Sequence, residues 1–201
     1  MVKLIIEGGA GKDSVALQIE LRKAFNQLLK KSGLTSMPRI VAAGGRTQAY
    51  DQYKNLIERY QNAVLLVDSE KEVADKYNEK PWDFLKSFES WDWLEKLDDR
   101  SCHLMTQCME AWFIADKNSL IEYYGNNFLG NSLPRKDIEK ISKDSIEKIL
   151  DHAARNCAPK KGYEKGRDSF KILSKVNPVV LRNSSAWADR FFTILQEIMS
   201  K

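Results

Sequence analysis

Two stretches of this sequence decide its fold: VKLIIE at residues 2–7 and AVLLVDSE at residues 63–70. Each contains a short, continuous apolar run, which is typical of a strand buried on both faces of a parallel sheet. Each also ends in acidic residues: Glu7 closes the first, and Asp68 and Glu70 close the second. Open α/β sheets bind ligands outside the carboxyl ends of their strands. We therefore expect the three acids to meet in one crevice.

The three carboxylates would repel one another there, and burying them unpaired costs several kcal/mol. A hard divalent cation such as Mg²⁺ or Mn²⁺ removes the conflict, because it takes oxygen ligands and keeps positions open for phosphate. The pattern predicts a metal-dependent phosphoryl-transfer site with Glu7, Asp68 and Glu70 as metal ligands and catalytic residues. Ordinary interpretations remain, since Asp68 could be the N-cap of the next helix and Glu70 a solvated loop residue.

The turn after the first strand, GGAGKDS at residues 8–14, does not match a P-loop. That motif needs a Gly and a Ser or Thr where this chain has Ile6 and Asp13. Its backbone N–H groups and Lys12 could still bind an anion. A second turn, Gly-Gly-Arg46, would lie on the same rim, so Arg46 is either a phosphate clamp or a plain surface arginine.

The composition is that of an ordinary soluble globular protein, with 43% hydrophobic and 30% charged residues in 201 positions. We expect no membrane segment, because no apolar run approaches the roughly 20 residues that a spanning helix needs. The three cysteines form no Cys-x-x-Cys pair and the N-terminus does not resemble a signal peptide, so we expect a cytoplasmic protein. A net charge of +4 permits a nucleic-acid partner without requiring one.

Strands and helices alternate in the first half, which predicts an α/β fold with a mostly parallel sheet of about four strands. We expect a core at 1–108 and a helical extension at 109–201, packed together as one structural unit. The expected strands cover 2–7, 39–43, 63–67 and 102–105. The expected helices cover 13–32, 47–62, an aromatic segment from Pro81 to Leu94, 109–124, short helices within 136–155, 163–175 and a last helix from Ser184 or Ser185 to the C-terminus.

These residues resemble the toprim (topoisomerase–primase) domain, a Rossmann-like metal-binding fold. That family carries Glu-Gly after its first strand and Asp-x-Asp after its third. Glu7-Gly8 matches the first element, and Asp68-Ser69-Glu70 matches the second with Glu in place of the final Asp. The longer side chain at position 70 leaves open whether one or two metal ions are bound.

The chain is further similar to small stand-alone toprim-like proteins of prokaryotes, a domain-of-unknown-function family. They are similar to the nuclease half of the overcoming-lysogenisation-defect nucleases and often accompany mobile-element or phage-defence genes. Further matching segments are Gly-Gly-Arg, MEAWFIAD at 109–116 and KGYEKGR at 161–167. The resemblance spans most of the chain and implies a nuclease.

Three further residues are candidates for the site. Glu110 lies in an apolar segment and needs a partner, so it is either a structural acceptor or an additional metal-shell carboxylate. Lys165 and Arg167 belong to a basic run that either binds phosphate or forms a solvated surface.

The leading hypothesis is a Mg²⁺- or Mn²⁺-dependent nuclease acting on DNA or RNA. The alternative is a non-catalytic toprim scaffold that binds nucleic acid or protein beside a partner ATPase. A small-molecule phosphotransferase is a third option. A homo-oligomer is compatible with all three.

Overall fold

A computed structural model describes residues 1–11, 14–135 and 137–200 of the chain. Lys12, one of the expected phosphate ligands, and Asp13 lie outside the described residues. Four strands form one all-parallel sheet in the order β2-β1-β3-β4. Their bounds are β1 (Lys3–Ile6), β2 (Arg39–Ala42), β3 (Ala63–Asp68) and β4 (Cys102–Met105). The predicted α/β fold with a parallel sheet of about four strands is confirmed.

Nine α-helices surround the sheet within the described part of the chain. They are α1 (Ser14–Lys31), α2 (Arg46–Glu58), α3 (Pro81–Lys86), α4 (Ala111–Ala115), α5 (Lys117–Tyr124), α6 (Lys143–Ala154), α7 (Ser169–Leu173), α8 (Pro178–Ser184) and α9 (Ala186–Met199). None of the described helices is long and apolar enough to cross a membrane.

Some helix predictions were wrong. The expected helix from Pro81 to Leu94 ends at Lys86, and the aromatic residues beyond it pack in irregular backbone. The expected helix at 109–124 is broken at Asp116, whose side chain accepts hydrogen bonds from the first N–H groups of α5. The helix expected at 163–175 is confined to α7, and α8 was not predicted.

The sheet is buried on both faces because its side chains alternate between two apolar clusters. Leu4, Ile6 and Leu66 face one cluster, where α1 packs together with helices from the C-terminal half. Ile5 and Leu65 face the other cluster, where α2, α3 and the aromatic segment pack. Helix α9 lies along the edge strand β4.

This connectivity places a ligand crevice at the carboxyl end of β1. The chain leaves β1 towards α1 on one face, whereas it leaves β2 and β3 towards the opposite face. Neighbouring strands whose continuations diverge in this way leave an opening between them, and open α/β sheets bind ligands there. The residues that follow β1 and end β3 therefore line a pre-formed crevice.

Candidate metal centre

The three predicted acidic residues meet at the carboxyl ends of β1 and β3. One carboxylate oxygen from each of Glu7, Asp68 and Glu70 lies within 4.8 Å of the others, so the group could hold a metal ion. Asp68 is buried, and Glu7 and Glu70 are partly exposed. The parallel pairing of β1 with β3 produces this convergence, because it brings the ends of both strands to one side of the sheet.

Backbone donors fix two of the carboxylates. The N–H of Asp68 donates to Oε2 of Glu7 at 3.0 Å, and the N–H of Met109 donates to Oδ1 of Asp68 at 2.9 Å. Asp68 therefore does not cap a following helix; it joins the end of β3 to the segment after β4. Among the described residues, Oε1 of Glu7 and Oδ2 of Asp68 accept no hydrogen bond, which leaves them available as ligands.

The third carboxylate stands on unusual backbone. Glu70 has φ 62°, a left-handed conformation that a residue with a side chain rarely adopts, and Gln107 on the neighbouring loop has φ 58°. The N–H of Glu70 donates to the carbonyl of Gln107 at 2.9 Å, and the N–H of Gln107 donates to Oγ of Ser69 at 2.8 Å. Such conformations cost about 1–3 kcal/mol each and concentrate at functional sites, because the surrounding structure must hold them.

The protein environment disfavours the charged form of two of the acids. Burial raises the pKa of Glu7 to about 7, with a further contribution from the charge of Glu70. Burial also raises the pKa of Asp68 well above its ordinary value, and the charges of Glu7 and Glu110 add to the effect. Nearby cations only partly compensate. A divalent ion would stabilise both carboxylates, so the chemistry of the donor set fits a hard metal.

Lys143, at the start of α6, is a site residue that the sequence analysis missed. Its ammonium group donates to Oε1 of Glu70 at 2.6 Å and lies 3.9 Å from Oδ2 of Asp68. Burial alone would lower the pKa of Lys143, but the hydrogen bond to Glu70 and the charges of both acids raise it. Nothing in the sequence distinguishes this lysine from the solvent-exposed lysines of an amphipathic helix.

A cavity of about 200 Å³ opens beside the acids, and both halves of the chain line it. The two glycine turns form one rim, where Gly8 and Gly44 exchange backbone hydrogen bonds of 2.7 and 3.0 Å. Both have positive φ, and a Cβ on Gly8 would lie 2.6 Å from Leu21. A Cβ on Gly44 would meet the side chain of Gln48, so the positive φ and the close helix side chains both favour glycine at these two positions.

Arg46 lies on the same rim, as expected. Its Nη1 is 3.4 Å from the carbonyl oxygen of Asp68 and 3.8 Å from Oε1 of Glu70, and its Nε is 2.8 Å from Oε1 of Glu89. The side chain is largely buried. Arg46 therefore belongs to the acidic site and is not a plain surface arginine.

Glu110 also lines the cavity and is 1% exposed. The hydroxyl of Tyr163 donates to its Oε1 at 2.9 Å, and Nζ of Lys165 is 3.5 Å from the same oxygen. The hydroxyls of Tyr163 and Ser169 are hydrogen-bonded, with 2.7 Å between their oxygens. Glu110 is not part of the three-acid group. Its contacts hold Lys165, about half exposed, at the mouth of the cavity.

Arg167, predicted to accompany Lys165, is directed elsewhere. Its guanidinium makes a two-point contact with the buried Asp168, with distances of 2.7 and 2.6 Å, and also bonds Glu164. Asp168 further accepts hydrogen bonds from the hydroxyls of Tyr123 and Tyr124. Arg167 does not line the cavity. The structure thus brings Lys165 and Arg46 to the acids and places Arg167 in a separate network.

The whole arrangement is an acidic group of three carboxylates ringed by Arg46, Lys143 and Lys165 beside an open, glycine-lined rim. Carboxylates suit a divalent metal, and the surrounding cations suit the non-bridging oxygens of a phosphate. Such a site can bind a phosphate ester against a metal ion.

Comparison with known proteins identifies a family for most of the chain. Residues 16–196 match the sequence model of the family described as Domain of unknown function (DUF4276). The matched range contains Asp68, Glu70, Glu110 and Lys143 and begins after Glu7. No curated protein and no solved structure matches the chain.

Proposed function

This chain belongs to the DUF4276 family, and we propose that it is a toprim-like, divalent-metal-dependent phosphodiesterase acting on nucleic acid. The observation that carries the proposal is the convergence of Glu7, Asp68 and Glu70 within 4.8 Å at the carboxyl ends of two parallel strands. Two of these acids have raised pKa values, and perturbed pKa values cluster at functional sites.

Glu7, Asp68 and Glu70 would hold Mg²⁺ or Mn²⁺ through their remaining oxygens. The ion, when bound, would supply the positive charge that polarises a phosphoryl group and lowers the pKa of water. Arg46, beside Asp68 and Glu70, would bind a non-bridging oxygen of the phosphate. In the metal-free protein burial raises the pKa of Glu7 to about 7, and a bound cation would favour its charged, metal-ligating form.

Nucleic acid is favoured over a small phosphate ester by the shape of the site. The cavity is partly open to solvent beside the glycine rim. An extended backbone can lie across such a rim with one phosphate at the acids. Lys165 at the cavity mouth would contact a neighbouring phosphate.

The test uses Asp68→Asn, because Asn keeps the oxygen that accepts from the N–H of Met109 and loses the charge. We expect wild type to bind Mn²⁺ in calorimetric titration and to cleave plasmid, linear DNA or tRNA. The variant should lose both, with cleavage reduced at least about 100-fold. The exposed Glu72→Gln is the matched control and should behave like wild type. Metal-dependent cleavage that survives in Asp68→Asn would overturn the proposal.

A second function is favoured by one observation, the placement of Lys143. Its ammonium group already contacts Glu70 and approaches Asp68, which is one way to satisfy an acidic cluster without metal. A chain of this kind would be a non-catalytic subunit that binds nucleic acid or protein beside a partner ATPase. Wild-type protein that takes up no Mn²⁺ at millimolar concentration would favour this function over the nuclease.

A further inference from the structure

Residues 87–98 form an irregular segment between α3 and β4, which we call the tryptophan strap. It is fixed to helix α2 through Tyr50. The ring of Trp91 stacks on Tyr50 with centroids 4.5 Å apart and planes 12° apart, and Trp93 packs at 5.1 Å. The hydroxyl of Tyr50 donates to the carbonyl of Asp92 and accepts from the N–H of Leu94. The strap therefore has a fixed position on α2.

The start of the strap contacts the acidic site through Arg46, which lies one helical turn before Tyr50 on α2. Oε1 of Glu89 is 2.8 Å from Nε of Arg46, and the guanidinium carbon is 5.6 Å from the ring centroid of Phe88. The Glu89 oxygen accepts no directed hydrogen bond, so the contact is an attraction between charges. Lys71 lies over the same ring at 4.0 Å.

The position of Arg46 requires an explanation, because a guanidinium beside carboxylates normally forms a two-point ion pair. Arg46 instead keeps 3.8 Å between Nη1 and Glu70. Glu89 lies on the other side of the guanidinium, at the shorter distance, and both side chains of the pair are largely buried. The attraction to Glu89 therefore opposes the attraction to Glu70.

We propose that Glu89 is a positioning residue: the tryptophan strap holds Arg46 back from the metal ligands, so that Nη1 contacts the carbonyl of Asp68 and Nη2 is directed to bind a phosphate oxygen. This inference rests on the proposed function, and it assigns the strap a part in that same site. Without the charge of Glu89, Arg46 moves onto Glu70, where it neutralises a metal ligand and no longer presents its N–H groups to a phosphate. A purely structural ion pair would have no such effect.

The test measures the affinity of inorganic phosphate for Mn²⁺-loaded protein by calorimetry, so it does not depend on turnover. Glu89→Gln, which keeps the shape and removes the charge, should weaken phosphate binding about tenfold, the value of one charge-assisted hydrogen bond. Glu89→Asp should retain most of the affinity. The matched control is Asp92→Asn, which removes an ion pair of the same strap with Lys54 and leaves Arg46 untouched.

A double-mutant cycle shows whether Glu89 acts through Arg46. In an Arg46→Gln background, Glu89→Gln should have no further effect on phosphate affinity, because the side chain that it positions is absent. Unchanged phosphate binding in Glu89→Gln, or a loss that persists undiminished in the Arg46→Gln background, would overturn the inference.

The same titrations in EDTA separate this inference from the proposed function. A wild type that takes up no Mn²⁺ contradicts the nuclease. In the metal-free protein, the phosphate affinities of wild type and Glu89→Gln are still compared. Weaker binding by Glu89→Gln supports the positioning role, and equal binding refutes it.

Discussion

Asp68 and Asp168 are both buried aspartates, yet their surroundings are opposite. Asp168 contacts Arg167 at two points and accepts from two tyrosine hydroxyls and a backbone N–H. Burial alone would raise its pKa, but these contacts, the Arg167 hydrogen bonds first, lower it. Asp68 accepts one backbone hydrogen bond, and burial with two neighbouring acids raises its pKa.

The difference separates a structural charge from a candidate functional one. The environment of Asp168 satisfies its charge completely, so this residue ties the segment at 162–168 to helix α5 and needs no ligand. The environment of Asp68 leaves its charge poorly compensated, which a fold retains at a cost in stability and which a metal ion would remedy. Burial alone would not have distinguished the two.

The largest expected effect comes from breaking the satisfied network. Asp168→Asn removes the buried charge that Arg167 contacts at two points and leaves the partly exposed guanidinium with Glu164 as its acidic partner, so the free energy of unfolding should fall by about 3 kcal/mol in urea denaturation. Asp68→Asn, measured in EDTA, should be no less stable than wild type because it removes a poorly paired charge. Equal losses for the two variants would show that the contrast between the two sites is not real.

A smaller effect is expected at His103, a buried basic group. His103 on β4 is fully buried, and its Nδ1 lies 3.1 Å from Nη1 of Arg190. Burial, assisted by the charge of Arg190, lowers the pKa of His103 from 6.5 to about 3. Below about pH 6.5, His103 is protonated in the unfolded chain but stays neutral in the folded protein. The free energy of unfolding therefore decreases as the pH falls from 6.5 towards 3.

His103→Asn removes this titration and keeps an acceptor for Arg190. Between pH 7 and pH 4.5, wild type should lose about 2–3 kcal/mol more stability than the variant. The measurement is urea denaturation at both pH values. All other titratable groups are the same in the two proteins, so the difference between them reports on His103 alone. Parallel losses would mean that His103 is protonated in the folded state.

The smallest effect separates Lys165 from a lysine outside the cavity in nucleic-acid binding. Lys165→Ala should reduce the slope of log affinity against log salt by about 0.7, since one phosphate contact on a single strand is lost. Binding of a fluorescent single-stranded oligonucleotide over a range of salt concentrations provides the slope. Lys171→Ala, an exposed lysine of α7 outside the cavity, should leave it unchanged. If both replacements change the slope equally, Lys165 contributes only as part of the general surface charge.

The sequence predicted the sheet and the acidic group because local pattern determines both. Short apolar runs ending in acid identify buried parallel strands, and parallel pairing brings their ends together. The break of the helix at Asp116 and the start of α8 at Asn177-Pro178 also had local signals, an N-cap acid and an N-cap amide before proline. Asn177-Pro178 thus follows the end of one helix and marks the start of the next.

Other features depend on contacts between distant segments. Lys143 and Glu89 reach the site only because α6 and the tryptophan strap pack beside the carboxyl ends of the strands. The strap itself has the apolar density of a helix, but stacking on Tyr50 outweighs helix propensity there. Arg167 and Lys165 are two positions apart in one basic run and face different partners, which spacing alone does not reveal.

The cations of the cavity come from late parts of the chain, and this determines when the site exists during protein synthesis. Glu70 and Lys143 are 73 positions apart, and Lys165 follows later still. A nascent chain that has released only the sheet displays its acids without these lysines, and one face of the sheet lacks the helices that cover it. The complete lining of the cavity is therefore present only after Lys165 has left the ribosome.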